Sequence, residues 1–169
     1  MKTLVVYESM FGNTEAVARA VADGLATRSS VDVVEVGTAP ASVDADLLVV
    51  GGPTHAFGLS RESTRKSAVE QGAVVSRGIG IREWLDALPP GRTDVATFDT
   101  RVRKPRVPGS AARAAERRLR RLGYHAVAPA ETFWVGGTPG PLLEGEAERA
   151  RRWGEDVATA AIRVVVPLA

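Results

Sequence analysis

The 169-residue sequence predicts a single-domain α/β fold built on a doubly wound, five-stranded parallel sheet, and three observations carry that expectation. Short apolar runs alternate with stretches of helical period along the chain. One run, Asp46-Leu47-Leu48-Val49-Val50-Gly51, is apolar on both faces, as a central parallel strand covered by helices on either side must be. The composition, 44% hydrophobic and 25% charged, is that of a globular chain, and the length suits one core over residues 1–169.

Thr3–Tyr7 reads as the first strand and Thr14–Thr27 as a helix, because Val17, Val21 and Leu25 recur every fourth residue on one face. Val31–Val36 and Asp46–Gly51 follow as strands. Arg61–Gly72 has a helical but polar pattern, and Ile81–Leu88 forms a short amphipathic helix ended by Pro89-Pro90. Asp94–Phe98 resumes the sheet. Ser110 caps a helix over Ala111–Leu122 that stops at Gly123, and Tyr124–Val135 is a fifth strand interrupted at Pro129. Glu144–Ile162 closes the pattern with early acids and a stripe of Ala150, Trp153 or Gly154, Val157 and Ala161. The apolar tail Arg163–Ala169 fits an added strand, a helix extension or a dimer contact. Gly136–Pro141 reads as a turn. Right-handed crossovers then place the ligand loops at the carboxyl ends of the strands, beginning at residues 8, 52 and 99.

Several function classes drop out. Without cysteine there is no thiolate catalysis or thiolate metal site, and two histidines far apart make a zinc site improbable, so no metal is expected. Redox chemistry has to be borrowed from a cofactor. No apolar run approaches the ~20 residues of a membrane span. Met1-Lys2 leads into a strand rather than a signal peptide, so a cytoplasmic location is expected. Gly78-Ile79-Gly80 does not follow a strand, and neither Gly-Lys-Ser/Thr nor Gly-x-Ser-x-Gly occurs. Trp84, Trp134 and Trp153 read as core, with Trp134 at a strand end that could border a ligand.

Ser9-Met10-Phe11-Gly12-Asn13-Thr14 lies where the first strand hands over to a helix. Helical N–H groups there lack partners and carry partial positive charge, so the turn suits a phosphate held by backbone and hydroxyls without Lys. Gly12 allows close backbone approach. Simple helix capping by Ser9 or Asn13 is the alternative reading. Glu8 would repel a phosphate unless turned away, and reads as strand-end surface. The second loop, Gly51-Gly52-Pro53-Thr54-His55-Ala56-Phe57-Gly58, follows the buried third strand. It offers polar groups at Thr54 and His55 and an aromatic face at Phe57 for a flat ligand. Core packing for Phe57 and plain solvent exposure for His55 are the alternatives.

The sequence strand, Ser-x-x-Gly-x-Thr, helix, and later strand-Gly-Gly-Pro-Thr-x-x-Phe-Gly, resembles the flavodoxin family of FMN-binding proteins. The Pro-Thr-x-x-Phe-Gly piece is closer to that family's NAD(P)H:quinone oxidoreductase-like members. The resemblance implies a flavodoxin-like fold in which Ser9, Met10, Phe11, Gly12, Asn13 and Thr14 hold the FMN phosphate. It places Pro53, Thr54, His55, Ala56, Phe57 and Gly58 beside the isoalloxazine ring. Gly58 is expected to supply the positive φ that lets a peptide turn its carbonyl toward reduced flavin N5. Phe11 departs from the family's usual hydroxyl and leaves only an amide at that position.

Asp99, Thr100 and Arg101 open the third loop, which by the same resemblance contacts the pyrimidine side of the ring. This loop lacks the aromatic cover of electron-carrier flavodoxins, and it is basic. From Arg101 to Arg121 there are nine Lys or Arg against the single acid Glu116. Such clustering is either a solvated helix face or a rim that attracts anions: a nicotinamide nucleotide or an acidic redox partner. Nucleic acid is not indicated, since the net charge is only +2 and no aromatics interleave with the cations.

The sequence thus points to an FMN-binding electron-transfer protein with a reductase or acceptor protein as partner and no catalytic residues of its own. The alternatives are an NAD(P)H:quinone-type FMN reductase and a flavodoxin-fold binding module that has lost FMN.

Overall fold

The computed structural model describes residues 1–73 and 75–165. The strands are β1 (Lys2–Tyr7), β2 (Ser30–Glu35), β3 (Leu47–Pro53), β4 (Asp94–Val102), β5 (His125–Ala126) and β6 (Glu131–Val135). The helices are α1 (Asn13–Leu25), α2 (Glu62–Glu70), α3 (Ile81–Ala87), α4 (Ala111–Arg121) and α5 (Glu146–Val165), with a 3₁₀ turn at Val36–Thr38. All strand pairings are parallel and run β2-β1-β3-β4, with β5 and β6 both pairing β4. The last two strands are one sheet position interrupted at 127–130, where Pro129 withholds a ladder donor. The sheet therefore has the five positions expected.

β3 shows why the sheet is doubly wound. Leu47 and Val49 join Val5, Val17, Val21, Leu25, Phe98 and Phe133 under α1 and α5. Leu48 and Val50 join Leu4, Val6, Ile81, Leu85 and Leu119 under α3 and α4. Alternate side chains leave a strand on opposite faces, so a strand covered twice reads as continuous hydrophobicity. Each fully buried Leu or Val contributes roughly 1.5–3 kcal/mol relative to exposure.

On the first face the helices meet at glycines. A Cβ on Gly154 would lie 2.3 Å from the Val21 carbonyl oxygen, and one on Gly24 would lie 2.0 Å from that of Arg151. Phe98, Phe133 and Trp153 form a triangle of edge-to-face rings with centroids 6.1 Å apart. Trp84 is buried and donates its indole N–H to the Pro40 carbonyl.

β4 runs four residues beyond the predicted Phe98, with Asp99 opposite Gly52 and Thr100 opposite Pro53. Asp99, Thr100 and Arg101 are thus strand and not loop. The polar residues Asp99 and Thr100 hid this extension, although they are buried and hydrogen-bonded there. Of the readings open for the tail, helix extension holds as far as Val165, while 166–169 lie outside the described residues. No helix among the described residues is long and apolar enough to cross a membrane.

The strand order reverses between β1 and β3: the chain steps outward to β2, then returns past β1. The carboxyl ends of β1, β3 and β4 lie side by side at that point.

Candidate functional site

A cleft at this switch point holds about 480 Å³ of empty space, part of it open to solvent. Its walls come from every loop the strand ends predict: Ser9, Met10, Phe11, Asn13 and Thr14 after β1; Pro53, Thr54 and His55 after β3; Thr100, Arg101 and Val102 at the end of β4. Val135 and Thr138 add a wall from the loop after β6.

The turn after β1 is built for close approach. Gly12 takes φ 92°, a left-handed conformation that a side chain resists, and a Cβ there would meet nothing within 4 Å. Its amide donates to the Ser9 hydroxyl at 3.1 Å, which leaves the Ser9 proton free to donate. The amides of Met10, Phe11, Asn13, Thr14 and Glu15 have no partner among the described residues. Neither Ser9 nor Asn13 caps the helix with its side chain. Thr14 is buried with its hydroxyl 2.7 Å from that of Thr100, a pair that retains one proton to donate onward. The ring of Phe11 is half-buried beside Met10, Ala68 and Ala73, so this residue presents only its amide at the turn.

Asn13 reaches the other way and donates to the Pro139 carbonyl at 3.2 Å. Gly140 sits so close that a Cβ there would lie 2.7 Å from the Asn13 amide group. The turn at Gly136–Pro141 therefore closes one wall of the cleft. Its position past the end of β6, at a carboxyl strand end, was the signal available for it.

The loop after β3 differs from expectation in where its strain sits. His55 and Gly58 exchange both backbone bonds, at 2.8 and 2.9 Å, and enclose a two-residue hairpin. Ala56 (φ 38°) and Phe57 (φ 78°) carry the positive φ values, and Gly58 does not. Two non-glycine residues thus occupy conformations usual for Asn-Gly, at a cost of order 1–3 kcal/mol each. The Phe57 ring is 63% exposed and is not core. Gly109 packs against this turn so tightly that its Cβ would lie 2.0 Å from the Phe57 carbonyl oxygen.

His55 is half-buried, and burial, reinforced by the nearby Arg65 charge, lowers its pKa. It stands neutral at pH 7 and is not the exposed loop histidine of the alternative reading. Asp99 is fully buried. One carboxylate oxygen accepts from Thr54 Oγ1 (3.0 Å), Ser110 Oγ (2.6 Å) and the Ala112 amide (3.1 Å), and the other from Thr132 Oγ1 (2.7 Å). Asp99 therefore ties the loop after β3 to α4 and β6 and does not reach the cleft. Thr54 is committed too, since its hydroxyl also accepts from the Ala111 amide at 2.9 Å. Arg101 lies over the Trp134 ring, 5.7 Å from its centroid, and donates to the Val107 carbonyl.

Glu8 corrects the sequence reading most plainly. It is 1% exposed, accepts from the Ile81 amide at 2.8 Å and is hydrogen-bonded to Ser60, whose hydroxyl takes a bond from Arg65. Arg65 in turn pairs with Glu83 at 3.1 Å. Desolvation raises the Glu8 pKa against the opposing pull of these donors. The carboxylate faces away from the Ser9–Thr14 turn and anchors the start of α3.

Residues 5–74 match the flavodoxin family model. No curated protein sequence matches the chain. Among solved structures, a flavodoxin from the domain Archaea superposes with a TM-score of 0.67 at 21% identity, covering 96% of this chain and 99% of that one. Oxidised flavodoxin 1 from Bacillus cereus gives 0.70 at 17% identity, with 94% and 98% covered. The flavodiiron protein from Giardia intestinalis gives 0.63 at 20% identity, with 96% of this chain matching 36% of that one.

Proposed function

We propose that the chain, whose residues 5–74 match the flavodoxin family model, is a protein of that family that binds FMN non-covalently in the switch-point cleft and passes electrons between partner proteins. The observation that carries this reading is the donor set around Ser9–Glu15. Five amides without a partner among the described residues, the Ser9 hydroxyl and the Thr14–Thr100 pair lie together at a helix start, with no Lys or Arg among them. Such a set fits a phosphate dianion, and its partial charges sum at the helix N-terminus. The ring system would lie between the His55–Gly58 hairpin and the end of β4.

FMN, when bound, supplies one- and two-electron chemistry that the side chains lack. The chain's own part is to hold, orient and exclude water. Thr54 and Asp99 keep the two ring-side loops in register, and neutral His55 adds no charge beside the ring. Among the described residues no carboxylate lines the cleft.

Ser9→Ala with Thr14→Val is expected to weaken FMN binding by about 2–4 kcal/mol, from two lost bonds to a charged group. Titrating apo-protein with FMN and following flavin fluorescence measures this, and unchanged affinity refutes the cradle. The second reading, an NAD(P)H:quinone-type reductase, draws on the cations at the rim. Rapid anaerobic reduction of the bound flavin by NAD(P)H alone would favour it over the carrier.

A further inference from the structure

We propose that the exposed patch formed by Phe57, Arg103, Lys104, Arg106 and Val107 is the docking surface for a protein partner with an acidic face around an apolar centre. This rests on the FMN reading only in assigning electron transfer as the purpose of docking. Phe57 and Val107, 63% and 45% exposed, are two of the four large hydrophobic residues left in solvent among the described residues. The contact of Gly109 with the Phe57 backbone brings the two segments together. Arg103, Lys104 and Arg106 precede Val107 on the same loop, all exposed and none in an ion pair among the described residues. On the β6 side Glu131 and Glu146 both pair with Arg149, at 2.6 and 2.7 Å.

An apolar centre inside a charged, solvated rim is the anatomy of a transient protein interface. The three cations are exposed and none of them lines the cleft, so they do not form the concave, convergent site that a nucleotide phosphate needs. The loop is also preorganised. Arg101 closes it onto the Val107 carbonyl and lies on Trp134, which reduces the ordering cost of association. The patch adjoins the mouth of the cleft, within reach of the proposed ring site.

The test uses purified full-length protein and, as probe, an acidic plant-type [2Fe–2S] ferredoxin. Amide chemical shifts are followed by NMR at about 20 mM ionic strength, with affinity measured in parallel. Shifts are expected at Phe57 and residues 101–109. The triple variant R103E/K104E/R106E is expected to weaken binding at least about tenfold, an effect that shrinks at about 300 mM salt. Val107→Ser is expected to weaken it without changing charge. The variant R28E/R92E/R121E alters net charge equally at the opposite end of the sheet, and binding is expected to stay within about twofold. Equal loss in that control, shifts mapped elsewhere, or no binding at low salt overturns the proposal. Shifts at the same residues produced more strongly by NADPH overturn it in favour of a nucleotide site. FMN affinity is measured separately on the same proteins. Failure of the cofactor reading therefore shows there, while the amide map still decides the patch.

Discussion

Residues in this chain separate into those that face the cleft and those that hold its walls, and burial sorts them. The places of Asp99 and Thr54 after the strands predict a ring-side role for both, yet their side-chain oxygens bond to each other and to Ser110, Ala111, Ala112 and Thr132. Sequence position identified the region, while hydrogen-bond accounting decided the role. His55 gives this a measurable consequence. Its folded pKa lies below the unfolded value of 6.5, because burial and the Arg65 charge oppose protonation. In that window the unfolded chain takes up the proton first. Stability contributed by neutral His55 is therefore complete above 6.5 and is lost as pH falls through 6.5 toward the lowered folded value. His55→Gln is expected to flatten this acid-side slope relative to wild type, read as the difference in chemical-denaturation midpoints at pH 7.5 and pH 5.5. Identical slopes would show that the imidazole titrates as it does in the unfolded chain. Glu8 contributes with the opposite sign: its raised pKa makes it cost stability as pH climbs from about 4.5.

Elements were legible where one periodicity dominated. The continuous apolar run of β3 and the four-residue repeat of α1 need no tertiary information, and both appear within a few residues of their expected bounds. What stayed hidden were features made by contact. Asp99 and Thr100 in the last four residues of β4 look like the start of a polar loop because their side-chain partners come from α1, α4 and β6. The positive φ values fall on Ala56 and Phe57, a choice imposed by the exchanged bonds between His55 and Gly58 and not by residue preference. The α5 stripe left Trp153 and Gly154 as alternatives, and the structure uses both: the tryptophan packs with Phe98 and Phe133 while the glycine admits α1. Gly154→Ala would set a methyl 2.3 Å from the Val21 carbonyl oxygen, a backbone atom that cannot swing aside. The helices must part, so a loss of about 1–3 kcal/mol is expected despite alanine's better helix propensity. For a chain of this size that lowers Tm by roughly 2–4 °C per kcal/mol. An unchanged or raised Tm would mean that the α1–α5 contact relaxes without cost.

At the scale of the whole molecule, the cleft gathers four separate chain segments, so any ligand that bridges them stabilises the fold as a unit. The amides after β1 and the walls from β3, β4 and the Gly136–Pro141 turn come together only in the native state, and the unfolded chain offers no equivalent site. If FMN is that ligand, linkage requires it to stabilise the native state by about 2.7 kcal/mol at a hundredfold excess over Kd, and so to raise Tm in a concentration-dependent way. At roughly 2–4 °C per kcal/mol this is a rise of about 5–11 °C. Riboflavin carries the same ring but no phosphate, so it engages the walls without the helix-terminal amides. If the donors at Ser9–Glu15 hold most of the affinity, riboflavin at the same concentration shifts Tm by no more than about a degree, and inorganic phosphate alone shifts it little because one anchor bridges nothing. Equal shifts from FMN and riboflavin would move the affinity to the hairpin and β4 walls, and no shift from either would leave the fold as a scaffold without flavin. Thermal melts of apo-protein against graded FMN, riboflavin and phosphate separate these outcomes, because each ligand reports a different part of the cleft.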